Sequence, residues 1–249
     1  MRTLLVVLTL LIATPVLGTI VIAAALAGAR DRAGSVFDVA LRSWARLLIR
    51  VAGVEVVEHG TENHGGAQRI FVANHVSWCD IPALATIMTR FKFVVKSELQ
   101  RIPIFGAAIR AIGSVYVDRD NRSSSVESLR MAAEKIQQGA SVVIFAEGTR
   151  GTQYALRPFK KGAFVLAINA QVPVVPIVMH GAIAILPRGG FRAKAGRVNV
   201  HFLEPVPTQG LTYEDRNTLA VTVRDRMAAL LLERYGVISP PWDPRRNGS

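Results

Sequence analysis

The sequence predicts an α/β fold: a layered domain with a mixed, largely parallel sheet flanked by helices, preceded by membrane-associated helices at the amino terminus. Three observations predict it. From Val54 onward, short runs rich in Val, Ile and Phe alternate with longer helical patterns, as strands joined by helical crossovers do. Residues 3–29 carry no charge, and roughly 20 apolar residues let a helix cross a bilayer core. With 249 residues, half of them hydrophobic, the chain can bury a substantial core without staples.

In order, residues 1–53 read as an anchor followed by an interfacial helix, 54–239 as the α/β domain and 240–249 as a disordered Pro-, Arg- and Asn-rich tail. Pro15 sits mid-anchor, where it kinks the helix or splits it into two halves dipping into one leaflet. The apolar run exceeds the roughly 7–15 residues of a signal-peptide core, which favours an uncleaved anchor. Arg30 and Arg32 after it, against Arg2 before it, place the domain on the cytoplasmic side of the cell membrane. A helix follows at 35–52, with Arg42, Arg46 and Arg50 in one stripe beside Trp44 and aliphatic residues. That pattern suits a helix lying in a membrane interface or one packed on a domain surface.

Strands are expected at 54–57, 70–73, 91–96, 114–117, 142–146, 174–179 and 198–202. Helices are expected at 81–89, 104–112, 124–138, 162–170 and 213–235.

The net charge of +12 calls for an anionic partner. No zinc-finger spacing, RNA-binding aromatic signature or Arg-rich block is present, so the expectation is a membrane or a phosphorylated small molecule and no nucleic acid. The single Cys excludes an intrachain disulfide. No His/Cys cluster at ligand spacing suggests a metal.

Four stretches near predicted strand ends, where α/β folds place their sites, carry candidate chemistry. In the first, Asn74-His75-Val76-Ser77-Trp78-Cys79-Asp80, the five-residue separation is about 140° of helical rotation, so His75 and Asp80 meet only if the chain turns between them. His75 then fits a general base oriented by Asp80. Equally, Asp80 fits a helix N-cap beside a loop histidine. Cys79 fits a nucleophile activated by His75, or a small buried hydrophobe.

The second stretch is Gly113 to Arg119, a strand ending on Asp118 and Arg119. The third, Phe145-Ala146-Glu147-Gly148-Thr149-Arg150, suits an anion: Gly148 allows close backbone approach, Thr149 donates, and Arg150 offers a planar fork. Glu147 could orient Arg150 or accept from a substrate hydroxyl, and a plain turn with a Glu–Arg pair fits too. The fourth brackets an apolar strand with Pro173 and Pro176, which points to strand ends or an edge strand. Lys96, Lys160 and Lys161 fit solvated surface as well as a site.

The order and spacing of all four stretches resemble the glycerolipid acyltransferase family, nearest to the bacterial 1-acyl-sn-glycerol-3-phosphate (lysophosphatidate) acyltransferases. Lys96-Ser97-Glu98-Leu99 leading to Pro103 and Gly106, and Phe159-Lys160-Lys161-Gly162-Ala163, are also similar to that family. The resemblance covers about 71–207. Ala146 stands where the family usually has Pro, and Gly151 where Ser is common; neither supplies a reacting group.

The resemblance implies direct transfer of an acyl group from a thioester, acyl-CoA or acyl carrier protein, to the hydroxyl of 1-acyl-glycerol-3-phosphate. The product is phosphatidate, and no cofactor beyond the thioester co-substrate is needed. It implies His75 as base and Asp80 as its orienter, with Arg150, Glu147, Gly148 and Thr149 on the acceptor's phosphate, Arg119 next and Lys96 after it. A thiolate leaves readily, so no strong general acid is required; one base suffices and no acyl-enzyme is needed. Backbone amides after His75 are the expected oxyanion donors. The alternatives are a phosphate-free acceptor such as a lyso-aminolipid, a Cys79 hydrolase, and a non-catalytic basic membrane-binding protein.

Overall fold

A computed structural model describes the chain apart from residues 119–121 and 246–249, and the side chains of 122–126. Arg119 therefore lies outside the described residues.

Two long helices come first, α1 (Arg2–Leu26) and α2 (Val36–Ala52). They lead into β1 (Val54–His59), β2 (Ile70–Ala73), α3 (Asp80–Ile87), β3 (Phe91–Lys96), α4 (Phe105–Ala111), β4 (Val115–Val117) and α5 (Arg122–Gln137). Then come β5 (Ser141–Phe145), α6 (Gly162–Ala170), β6 (Val174–His180), the single turn α7 (Ala182–Ile185), β7 (Gly196–Phe202) and α8 (Arg216–Tyr235). The helix expected over 213–235 begins as a 3₁₀ turn, because Thr212 and Asp215 form a capping box ahead of α8.

The strands make one sheet in the order β1-β7-β6-β2-β5-β3-β4, parallel throughout except between β6 and β7. The sheet is thus mixed and largely parallel, as predicted. β2 lies at its centre, and all four of its residues are buried, which is why it reads as an unbroken apolar run. Alternation divides that run between two cores. Phe71 and Ala73 join Ala45 and Ile49 of α2, Ala83 and Leu84 of α3, and Val175 and Ile177 of β6. Ile70 and Val72 join Ala132 of α5, Phe164 of α6 and Leu219, Val223 and Met227 of α8. The result is a three-layer sandwich of helices, sheet and helices.

Pro176 corrects the expectation of a strand end or edge strand. It lies inside β6, an inner strand paired with Val72 of β2. Its carbonyl faces the β7 side and accepts from Leu203 N, one residue beyond the end of β7. The N–H that proline lacks therefore points to where that ladder has run out.

Pro15 neither ends nor splits α1. The helix packs on α2 through Thr14, whose Oγ1 accepts from Trp44 Nε1 at 3.0 Å. Gly18 lets α4 approach, since a Cβ there would come within 2.9 Å of Ile104 Cγ2. Leu4, Leu5, Leu8, Leu11 and Ile12 stay exposed, and α1 is long and apolar enough to cross a membrane. The connection behind it is tied down by Asp31, which pairs with the buried Lys92 at 2.8 Å.

Part of the segment expected to be a disordered tail is seated on the domain. The buried Arg224 of α8 donates to Pro240 O at 2.7 Å and to Leu156 O at 2.9 Å, and Trp242 packs near Phe159.

Candidate active site

The candidate residues collect beyond the carboxyl ends of the central strands. His75 follows β2, Glu147–Arg150 follows β5 and Lys96 closes β3. Asn74, named in the first block without a role, fixes the end of β2 against β6: its Nδ2 donates to Met179 O at 3.0 Å, and Met179 N donates to its Oδ1 at 2.7 Å.

The chain does turn between His75 and Asp80. One carboxylate oxygen, Asp80 Oδ2, accepts from Val76 N at 2.7 Å, Ser77 N at 2.8 Å and His75 Nδ1 at 2.8 Å. Those two amides precede α3, so Asp80 builds the turn rather than capping the helix. Its side chain is fully buried, while that of His75 is 14% exposed. With Nδ1–H held by a carboxylate, the neutral ring keeps its lone pair at Nε2. Phe145 lies flat against the ring, its centroid 4.0 Å away.

This arrangement overturns the expectation that the amides after His75 serve as oxyanion donors, because Val76 N–H and Ser77 N–H already go to Asp80. Cys79 is likewise set aside as a nucleophile. Its thiol is buried, and burial together with the Asp80 charge pushes it up to about 12.

Glu147 does not pair with Arg150. Its two oxygens accept from backbone amides, Oε1 from His75 N at 3.2 Å and Oε2 from Arg157 N at 3.3 Å. Burial raises its carboxyl to about 7, the two amide hydrogen bonds opposing that shift. It acts as a brace between the first and third loops, which Gly151 N reinforces by donating to His75 O at 2.7 Å. Gly148 turns the chain at φ +78°, a conformation glycine adopts freely. Thr149 Oγ1 accepts from Arg157 Nη1 at 2.8 Å.

Arg150 lays its guanidinium over the Trp78 ring, 4.0 Å from the centroid. Trp78 is half exposed and belongs to the His75–Asp80 turn, so the cation rides on the element that carries the imidazole. Burial and the neighbouring Arg188 lower its pKa. Lys96 is not drawn in: it is exposed and pairs with Glu98.

Four participants escaped the sequence reading: Phe145 beneath His75, Arg157 on Thr149, Arg188 against Arg150, and Tyr154. The Tyr154 hydroxyl accepts from Gly181 N at 2.9 Å and Ile183 N at 3.0 Å after β6. Phe145 alone left a signal, as the apolar residue that begins the third block.

The family model described as acyltransferase matches residues 49–180, just over half of the chain. The chain belongs to the acyltransferase family. Over nearly all of its length the chain is similar to the crystal structure of the 1-acyl-sn-glycerophosphate (LPA) acyltransferase PlsC from Thermotoga maritima. The TM-score is 0.77 at 27% identity, covering 96% of this chain and 100% of that one. It is 41% identical to the chloroplastic 1-acyl-sn-glycerol-3-phosphate acyltransferase BAT2 of Brassica napus over 48% of this chain and 35% of that protein. It is 33% identical to human 1-acyl-sn-glycerol-3-phosphate acyltransferase alpha over 73% of this chain and 65% of that protein. The chain thus spans between about a third and two thirds of the length of these curated relatives.

Proposed function

We propose that the protein transfers a fatty acyl group from a thioester to the free hydroxyl of 1-acyl-glycerol-3-phosphate, giving phosphatidate at a membrane surface. The observation that carries this reading is the 2.8 Å contact between His75 Nδ1 and Asp80 Oδ2, on a turn that also holds the Arg150 guanidinium. The relatives named for the same reaction support it.

In this mechanism His75 Nε2 takes the hydroxyl proton as that oxygen forms its bond to the thioester carbonyl carbon. Asp80 holds the tautomer and stabilises the imidazolium that results. The carbon–sulfur bond then breaks, and the thiolate leaves with the proton that His75 returns. Phe145 and Asp80 fix the ring on its face and its edge. Arg150 binds the acceptor's phosphate, and Gly148 lets the backbone approach it. The exposed aliphatic face of α1 and the basic stripe of α2 hold the domain at an anionic bilayer, on its cytoplasmic side.

The test offers membranes containing the protein a panel of lysolipids, with acyl-CoA and acyl carrier protein as donors, and identifies products by mass. Phosphatidate is the expected product. Acylation of a phosphate-free lysolipid with lysophosphatidate left untouched would replace this reading.

A further inference from the structure

Arg188 lies on the loop that follows α7, outside every sequence block discussed above, and three contacts place it at the site. Ser77 Oγ donates to Leu186 O at 2.6 Å, and Ser77 forms an antiparallel bridge with Pro187. Arg188 Nη1 then donates to Arg150 O at 2.8 Å. Ser77 also donates its amide to Asp80, so this loop hangs from the turn that carries His75.

Two guanidinium groups are in this way brought to one mouth. The ion pairs among the described residues include neither Arg150 nor Arg188. Arg150 Nη1 is buried with no hydrogen-bond partner among the described residues. Burial lowers the pKa of Arg150, and the nearby Arg188 charge adds to that shift. Like charges held together with no carboxylate in ion-pair contact suit an anion, and a doubly charged one best.

We propose that Arg188 is the second arm of a phosphate clamp with Arg150, and that the pair selects acceptors ending in a phosphate monoester over lysolipids whose phosphate is a diester. A monoester carries about 1.5 to 2 negative charges near neutrality and three terminal oxygens, whereas a diester carries one charge and two free oxygens. One guanidinium satisfies the diester; the monoester uses both. The inference rests on the lysophosphatidate reading and adds the basis of its headgroup choice.

The test measures steady-state kinetics of the full chain in vesicles for wild type, Arg188→Gln and Arg188→Lys. Lysophosphatidate and lysophosphatidylglycerol serve as acceptors, at fixed salt with acyl-CoA as donor. Gln keeps a donor for the Arg150 carbonyl and removes the charge; Lys keeps the charge and removes the fork. Arg188→Gln should raise the KM for lysophosphatidate roughly tenfold or more, with kcat and the KM for acyl-CoA within about twofold. The KM for lysophosphatidylglycerol should barely move, and Arg188→Lys should fall between. An unchanged lysophosphatidate KM, an equal rise for both acceptors, or a rise confined to acyl-CoA would each overturn the clamp while leaving the activity in place. A wild-type protein that acylates lysophosphatidylglycerol and ignores lysophosphatidate would overturn the reading and the clamp together.

Discussion

The rings of His75 and Phe145 lie face to face, with centroids 4.0 Å apart and planes inclined by 21°. Phe145 is the last residue of β5, and it stacks in turn toward Phe93 on β3 at 6.2 Å. The imidazole is thus set on an aromatic shelf that the sheet itself supplies, with Asp80 gripping its edge. An aromatic pair adds about 0.5–1.5 kcal/mol beyond the area it buries. Phe145→Leu should therefore lower kcat several-fold, through a looser ring, with little change in either KM. Steady-state kinetics alongside a thermal melt checks this; a variant that melts earlier but turns over normally would make Phe145 a packing residue only.

Asp80 has two duties that substitution separates. Asp80→Asn keeps an oxygen for Val76 N–H and Ser77 N–H while giving up the charge that selects the His75 tautomer. Its fold should survive, and kcat should fall on the order of 10² to 10⁴. Asp80→Ala leaves two buried amides unpaired as well, at about 1–3 kcal/mol each, so it should also lose thermal stability. Comparing melting temperatures and kcat for the two variants reads the duties apart.

Cys79 serves as a test of the rival chemistry. A buried thiol raised to about 12 carries almost no thiolate at neutral pH. Cys79→Ala should retain full acyl transfer, and the folded protein at pH 8 should resist iodoacetamide until it is denatured. Rapid alkylation with loss of activity would reverse that assignment.

A stack of rings around His201 should make stability depend on pH. His201 lies against His59 at 4.2 Å and its Nε2 meets the Tyr235 hydroxyl at 2.6 Å. Burial, together with nearby His59 and Arg234, lowers it to about 4. Above about 6.5 the group is neutral in folded and unfolded chains alike. Between there and about 4 the unfolded chain takes up a proton that the folded one refuses, so stability falls as pH falls. The melting temperature of wild type should drop more steeply from pH 6.5 to 4 than that of His201→Gln, and parallel curves would show that His201 does not titrate in that range.

The strands were legible because the central ones are buried on both faces, so that Ile70–Ala73 and Val174–His180 read as unbroken apolar runs between turn residues. His75 and Asp80 were legible as a pair because five residues of chain join them. What the sequence withheld depends on contacts between distant segments. Arg188 meets Arg150 across 38 residues and Glu147 braces the His75 amide across 72, separations at which no local spacing carries information. The Glu147–Arg150 pairing was misread for that reason: beside Arg150 in sequence, Glu147 instead accepts from His75 N and Arg157 N. The amides after His75 were misread because the nearest acceptor was Asp80 itself.

In the proposed mechanism His75 Nε2 takes the hydroxyl proton. This step is tested most directly by following labelled phosphatidate formed from lysophosphatidate and acyl-CoA by membranes carrying wild type or His75→Ala at matched expression. Wild type should form product, and the variant should be slower by on the order of 10² to 10⁴. A His75→Ala protein that makes phosphatidate at the wild-type rate would contradict that mechanism.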